Sequence, residues 1–417
     1  LQEFSIMNVT AKIALQSETG DIIASLSESL AQCAARPLPR AVTLPPAAYT
    51  SEAWFKYEAE TVMKPGWMCV AHVSQVKNPG DYLRIDLLEE PLLVIRREDG
   101  EIGVLSRVCP HRGADIMPYT MGYTETGTAK SLVCPYHRWS FGFDGGLKGC
   151  AHMDQAAEFN KADWGLSKIR TEIFEGFVLV NLSGDAPPAA QCYADLKTLL
   201  APWNAAEMEL CIEMEWDCHF NWKIMIENWM EAYHHMGSHK TTLNPVMPAE
   251  TTWTDRAGEN LVRVHLPLAP ALAQQVDDSI AAGGRLPGFN PYLNLPLERQ
   301  QEWEVFTGLP HFMVLTARDR IIWYRLIPVS AGECKLLTTT LVSRDSKLAP
   351  DFEATVEAES KMLREFHVED MEVNTAVQIG LHSQFAVQGR LSHMEEPILQ
   401  IQAWLSRQIN RQAGLGA

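Results

Sequence analysis

Two short runs, Cys109-Pro110-His111 and Cys134-Pro135-Tyr136-His137, constrain this chain more than anything else in it. Each puts a thiol and an imidazole on one tight turn, so a shared metal centre would require a fold that brings two distant turns together. Four such ligands suit two chemistries. Two thiolates on one iron and two imidazoles on the other hold a [2Fe–2S] cluster, and the neutral imidazoles raise its potential above that of an all-thiolate centre. Tetrahedral zinc accepts the same set as a structural ion. The chain has nine cysteines in 417 residues. An odd count in so long a chain points away from a disulfide-stapled secreted fold and towards a reducing, cytoplasmic setting.

The turns lie in a stretch where hydrophobicity alternates with period two. Strands are expected at 68–73, 81–87, 92–96 and 103–107, then near Leu132 and at 139–143, 169–173 and 177–182. Turn chemistry separates them, as in Lys77-Asn78-Pro79-Gly80 and Glu98-Asp99-Gly100. This describes a small all-β domain over 65–182. Before it, 1–64 is an N-terminal segment with a weakly helical opening and a helix at 52–63, expected to pack on the C-terminal domain at 183–417. After a Gly- and Pro-containing linker at 183–190, residues 183–417 mix helices with strands at 261–266, 312–317, 321–329 and 336–342. Helices at about 351–366 and 395–409 close the chain, and 271–297 is a long loop. The class is α+β.

The first cysteine turn continues as His111-Arg112-Gly113, and the second as Trp139-Ser140-Phe141 followed by Asp144-Gly145. These residues closely resemble the Rieske motif of the ring-hydroxylating oxygenases. The resemblance implies a Rieske [2Fe–2S] cluster on Cys109, His111, Cys134 and His137. Two departures stand out: residues 117–130 lengthen the segment between the turns, read as a surface excursion, and Arg138 replaces a usual Gly.

A second constellation runs Glu227-Asn228-Trp229-Met230-Glu231-Ala232-Tyr233-His234-His235-Met236-Gly237-Ser238-His239. Two histidines and a carboxylate on one face hold Fe(II) and leave positions open for oxygen. His234 and His239 are five apart, which needs a helix to end or kink between them, whereas His235 and His239 would stack on an unbroken helix. The run resembles the same family's mononuclear iron motif at Glu231, Tyr233, His234 and His239, with Asn228 one place out of register. The resemblance implies His234, His239 and Asp370 as iron ligands, with Glu369 and Glu372 as neighbouring acids outside the set. It further implies a catalytic domain of helix-grip type, a broad antiparallel sheet against long helices, and a homotrimer, although some relatives add a small β subunit. It also gives Glu231 a role beside the metal, linking His234 to His137 or His111 of a neighbouring subunit.

Other classes are disfavoured. A formal charge of −17 repels nucleic acid and anionic lipid. No run of about eighteen apolar residues suggests a membrane span, and the first fifteen residues do not read as a signal peptide. No GxGxxG fingerprint follows a strand, so NAD(P)H chemistry is expected on a separate reductase, with or without a ferredoxin. A Rieske electron carrier would need only the cluster domain, and a zinc-stabilised module is the third reading. The expected substrate is a small aromatic compound, including aromatic carboxylates. The alternative is a quaternary ammonium compound or betaine, because Gly389-Arg390-Leu391-Ser392 and Tyr136-His137-Arg138-Trp139 resemble the subgroup that oxidises these. The expected pocket walls are the His234–His239 helix, the strands around 312–326 and the 271–297 loop, with Trp229, Phe289, Tyr292, Phe312 and Trp323 as candidate facing residues.

Overall fold

Short β-rich runs with tight turns cannot bury a face alone, and here they assemble into antiparallel sheets. The computed structural model describes residues 19–283 and 286–412, so the opening residues 1–18 and Gly284 lie outside it. Ten strands form the first half: β1 Met68–His72, β2 Asp81–Leu87, β3 Glu90–Arg96, β4 Ile102–Ser106, β5 Thr126–Thr128, β6 Leu132–Val133, β7 Ser140–Phe141, β8 Leu147–Gly149, β9 Lys168–Phe174 and β10 Phe177–Asn181. They make a seven-stranded sheet ordered β1-β10-β9-β4-β3-β2-β5 and a three-stranded sheet β6-β7-β8.

The second half is a seven-stranded sheet ordered β11-β17-β16-β15-β14-β13-β12. Its strands are β11 Glu209–Cys218, β12 Trp253–Gly258, β13 Leu261–Pro267, β14 Glu302–Gly308, β15 Phe312–Ala317, β16 Arg320–Ser330 and β17 Glu333–Val342. Five helices matter below: α1 Glu52–Glu58, α2 Trp222–Trp229, α3 Pro270–Ala281, α4 Phe352–Leu381 and α5 Glu396–Gln412. The α+β class with a helix-grip second domain is therefore what the chain forms. Two expectations change. The supposed loop at 271–297 carries α3, which begins on Pro270, where a missing N–H costs nothing. The helix expected to stop at 366 runs thirty residues, to Leu381.

Successive residues of a strand face opposite ways, and that alternation organises the molecule. On β15 and β16, Phe312, Val314, Ile321 and Trp323 join a core with Trp67, Cys69, Phe177 and Leu179 of the β domain. Their neighbours Met313, Leu315, Ile322 and Tyr324 belong to the core on the other face. The catalytic sheet is thus seated on the cluster domain by one face and covers the site with the other. Each aromatic buried there contributes roughly 1.5–3 kcal/mol over exposure. The N-terminal segment docks on α2, where the buried Glu58 carboxylate accepts from Lys223 Nζ at 2.7 Å and Trp222 Nε1 at 3.2 Å.

Burial pushes His72, His311 and His367 each down to about 4 from the usual 6.5. Below 6.5 the unfolded chain takes up protons that the folded chain refuses until about 4, so stability falls as pH drops through that window. The expected loss is ~1.4 kcal/mol per pH unit for each fully engaged histidine. Thermal unfolding measured between pH 7 and 5 should show Tm falling. His311→Leu should flatten the slope, because both His311 ring nitrogens are buried without a partner.

Candidate functional site: a cluster end and a buried metal triad

The cluster turns are built as the sequence suggests. Cys109 N–H donates to Ala114 O, Gly113 N–H returns to Cys109 O, and Cys134 N–H donates to Trp139 O. Gly113 has φ 72° and Arg138 φ 59°. Gly adopts this left-handed region freely and Arg only with strain, so Arg138 stands where the turn itself would favour Gly. Both cysteines are buried, while His111 is half-buried and His137 exposed. The two imidazole centroids lie 4.7 Å apart, and His111 stacks on Trp139 at 4.7 Å. The structure sets the two imidazoles side by side and Cys109 against Cys134 in the interior. A buried cysteine pair with an imidazole pair nearer the surface fits a [2Fe–2S] cluster, which Cys109, Cys134, His111 and His137 would hold.

The second site forms where α2 ends. Asn221 caps the helix start by accepting from Lys223 N–H. After Trp229 the chain turns, and Tyr233–Met236 is a 3-10 turn. Glu231 caps that turn, its Oε2 accepting from the N–H groups of Tyr233 and of His234, the latter at 3.1 Å. Its Oε1 lies 2.5 Å from His234 Nδ1. The break that the five-residue spacing demands is therefore real, and it comes before His234 as well as after it.

From across the domain α4 brings in Asp370. Its Oδ1 lies 3.0 Å from His239 Nε2 and 3.6 Å from His234 Nε2. Nδ1 of His239 lies 2.7 Å from Glu369 Oε2, which also accepts from Thr242 Oγ1 at 2.6 Å. The ligand atoms of His234, His239 and Asp370 all fall within 4.8 Å of one another. A neutral imidazole has one N–H, yet each of these rings faces a carboxylate on both nitrogens. A cation between the Nε2 atoms and Asp370 resolves that mismatch: each Nδ1–H then donates outward, as metal-bound histidines do. Burial disfavours charge on His239, but the adjacent Asp370 and Glu369 overcome it and hold its pKa up. The donor set thus fits a divalent cation.

His235 is not part of this set. Its Nδ1 faces Met247 O at 3.2 Å, and burial, with His234 beside it, pushes it down to about 3. Glu372 is exposed. A second group, His265, Glu302 and Glu304, also brings its ligand atoms within 4.8 Å. There Arg263 and Arg299 both pair with Glu304. That carboxylate is already neutralised, and the group reads as a closed ion network.

The triad opens into a cavity lined by residues of 225–370 and none from the β domain. Of the expected walls, the His234–His239 segment and the strands around 312–326 (through Leu315 and Tyr324) are present, but of the named aromatic candidates only Trp229 is. Phe312 and Trp323 face the cluster domain, Phe289 and Tyr292 pack elsewhere, and the 271–297 segment does not reach the cavity. Trp303, Tyr324 and Phe366 take their places. Strand parity was the missed signal: Tyr324, one residue from Trp323, has the opposite facing. Tyr324 Oη lies 2.7 Å from His367 Nε2, and His367 Nδ1 lies 2.6 Å from Leu363 O. His367 therefore donates through Nδ1 and accepts the tyrosine proton at Nε2, which fixes the phenol.

A family model for the Rieske [2Fe-2S] domain matches residues 66–160, and one for the ring hydroxylating alpha subunit (catalytic domain) matches 206–411. The chain belongs to the Rieske ring-hydroxylating oxygenases, as a catalytic alpha subunit. Within this Rieske oxygenase family, the carnitine monooxygenase oxygenase subunit of Acinetobacter baumannii is 31% identical over 199 residues, 46% of this chain and 51% of that protein. That alignment spans about half the relative's length. The glycine betaine monooxygenase oxygenase subunit of Pseudomonas aeruginosa is 24% identical over 332 residues, 75% of this chain and 76% of that protein. Naphthalene 1,2-dioxygenase from Rhodococcus shares the fold, with TM-score 0.75 at 19% identity over 92% of this chain and 98% of that one. Among the described residues no helix is long and apolar enough to cross a membrane.

Proposed function

We propose that this alpha subunit is the terminal oxygenase of a multicomponent system and that its substrate is a small quaternary ammonium compound. The cavity lining carries the reading. It offers the aromatic faces of Trp229, Trp303 and Tyr324 beside Asp370 and Glu231, and no Lys or Arg is among the lining residues. Trp229 and Tyr324 rings lie 3.9 Å apart, centroid to centroid. Such a wall attracts a methylated cation by cation–π interaction. It gives an aromatic carboxylate no counter-charge, so that part of the aromatic expectation loses its support. The carnitine and glycine betaine relatives favour the same choice. A neutral aromatic ring remains the second reading, because Val264, Leu266, Val305 and Leu315 make much of the lining apolar.

In this proposal Cys109, His111, Cys134 and His137 hold the cluster, and His234, His239 and Asp370 hold Fe(II). When bound, the cluster supplies single electrons and the iron activates O2. The chain's own residues do the rest. Glu231 and Glu369 hold the Nδ1 protons of the two histidines and orient the rings. The apolar walls exclude water, and the aromatic faces set a substrate methyl group towards the triad. Electrons come from NAD(P)H through a reductase on another chain, directly or by way of a ferredoxin. We further propose domain limits of 65–182 for the cluster domain and 183–417 for the catalytic domain. The assembly is a homotrimer closed by a heterologous interface.

The test is substrate-dependent oxygen uptake with a matched reductase over betaines, other quaternary amines, aromatic acids and neutral aromatics. Uptake with product mass or formaldehyde release is expected for the ammonium compounds. Trp229→Leu should raise their KM by about threefold to thirtyfold, the range of ~0.5–2 kcal/mol for a lost cation–π contact. Products from neutral aromatics alone would replace this reading with the second.

A further inference from the structure

Residues 117–130, between the two cluster turns, do not simply loop through solvent. Their strand β5 adds to the edge of β2, pairing Asp81 with Thr128, Tyr82 with Gly127 and Leu83 with Thr126. Gly127 lies so close over the Tyr82 ring that a Cβ there would meet Tyr82 Oη at 2.8 Å. Just before β5, Glu125 makes two contacts in opposite directions. Its backbone O accepts from Arg84 N–H at 2.7 Å within the β domain. Its carboxylate Oε1 accepts from Arg325 Nη2 at 2.8 Å, on the catalytic sheet.

Arg325 is buried, 5% exposed. It extends from the face of β16 that packs on the cluster domain, and its Nη1 also reaches Val70 O of β1 at 3.4 Å. On the cluster side the contacts continue. The Arg84 guanidinium, 2% exposed, lies 3.5 Å from the Tyr119 ring centroid and 3.9 Å from Asp115. Asp115 is also held by Arg107 at 3.1 Å and lies four residues beyond His111. Ion-pair, cation–π and backbone contacts therefore join the first cluster turn to β16 of the same chain.

We infer that 117–130 is a strap that seats the cluster domain on its own chain's catalytic sheet, with Glu125 and Arg325 as positioning residues that hold the cluster for electron delivery to the neighbouring subunit. The electron-delivery half rests on the oxygenase reading above. A buried guanidinium needs its partners, and losing one is costly. Without Glu125, the strap edge loses the ion pair that ties it to the catalytic sheet, and the cluster turn loses its registration against β16.

The experiment uses the full-length, iron-loaded protein with Glu125→Gln and, separately, Arg325→Lys. Glu125 is partly exposed, so the first variant should fold even where the second does not. Amide hydrogen exchange is expected to rise in 118–128 and in β1 of both. Cluster absorption, midpoint potential and iron content should match the parent, and KM should hold while kcat falls. Single-turnover reoxidation of the reduced cluster should slow about tenfold, since an ångström of misplacement can cost up to about a hundredfold. Unchanged exchange in a folded Glu125→Gln variant overturns the strap, and reoxidation within about twofold of the parent overturns its role in delivery. A parent protein that never reoxidises with oxygen and substrate overturns the oxygenase reading instead, and hydrogen exchange then decides the strap by itself.

Discussion

Asp370→Ala is expected to empty the mononuclear site and abolish substrate-dependent oxygen uptake while leaving the cluster's absorption intact. The argument is one of charge and count. Asp370 is the only carboxylate among the three grouped ligands, and its Oδ1 is the point on which both Nε2 atoms converge, at 3.0 and 3.6 Å. Burial would raise its pKa, but hydrogen bonding from His239 and the charges of both histidines hold it below the usual value, so it presents an anion. Without it two neutral imidazoles face the cation with no charge to balance it. Metal analysis should then show the cluster's iron alone, and EPR of the reduced protein should keep its cluster signal. The neighbour gives the contrast. Glu369 touches only Nδ1 of His239 and Thr242. Glu369→Gln should keep the metal and weaken its binding by about 10–100-fold, as loss of an outer partner does. Iron retained in Asp370→Ala but lost from Glu369→Gln would mean that Glu369, not Asp370, carries the ligand role.

The contrast between those adjacent acids shows what could be read in the chain and what could not. The cluster site was legible because its ligands come as contiguous pairs with turn-forming residues around them, and local sequence dictates local geometry. The histidine run was visible in the same way, but choosing His234 over His235 as the partner of His239 rested on resemblance. Asp370 sits 131 residues from His239, and only resemblance singled it out. The helix carrying it escaped notice for a physical reason. Its buried stripe beyond Phe366 is His367, Asp370, Asn374 and Gln378, spaced as a helix face but polar, so hydrophobic periodicity goes silent where the function lies. β11 is absent from the expected strands although strict alternation marks it, with Ile212, Met214, Trp216 and Cys218 buried between exposed Glu213, Glu215 and Asp217. The cavity walls were not legible, because choosing Tyr324 over Trp323 requires knowing which face of β16 meets the cluster domain. Likewise 117–130 looked like an excursion: pairing of Glu125 with Arg325 spans 200 residues, and no local pattern announces it.

Glu231→Gln should leave both metal sites filled and yet reduce turnover by about 10–100-fold or more, the cost of losing an outer partner of a metal histidine. The carboxylate does two jobs with two oxygens. Oε1 takes His234 Nδ1 at 2.5 Å, and Oε2 takes the backbone N–H groups of Tyr233 and His234. Glutamine keeps one acceptor and replaces the other with an NH2 donor. Whichever way the amide turns, one side then sets donor against donor. If the backbone contacts keep the oxygen, His234 loses its anionic partner, and its ring becomes a weaker base and a looser one. The triad survives, because His239 and Asp370 are untouched and His234 Nε2 still faces them. In the proposed trimer Glu231 also meets His137 or His111 of the neighbouring subunit, so the same substitution breaks the polar link between the two centres. Stopped-flow reoxidation of the reduced cluster, with iron content and cluster spectrum as controls, separates the outcomes. Slow reoxidation at full metal content assigns Glu231 to the link. Parent-like reoxidation with a raised KM would confine it to shaping the cavity, which it also lines.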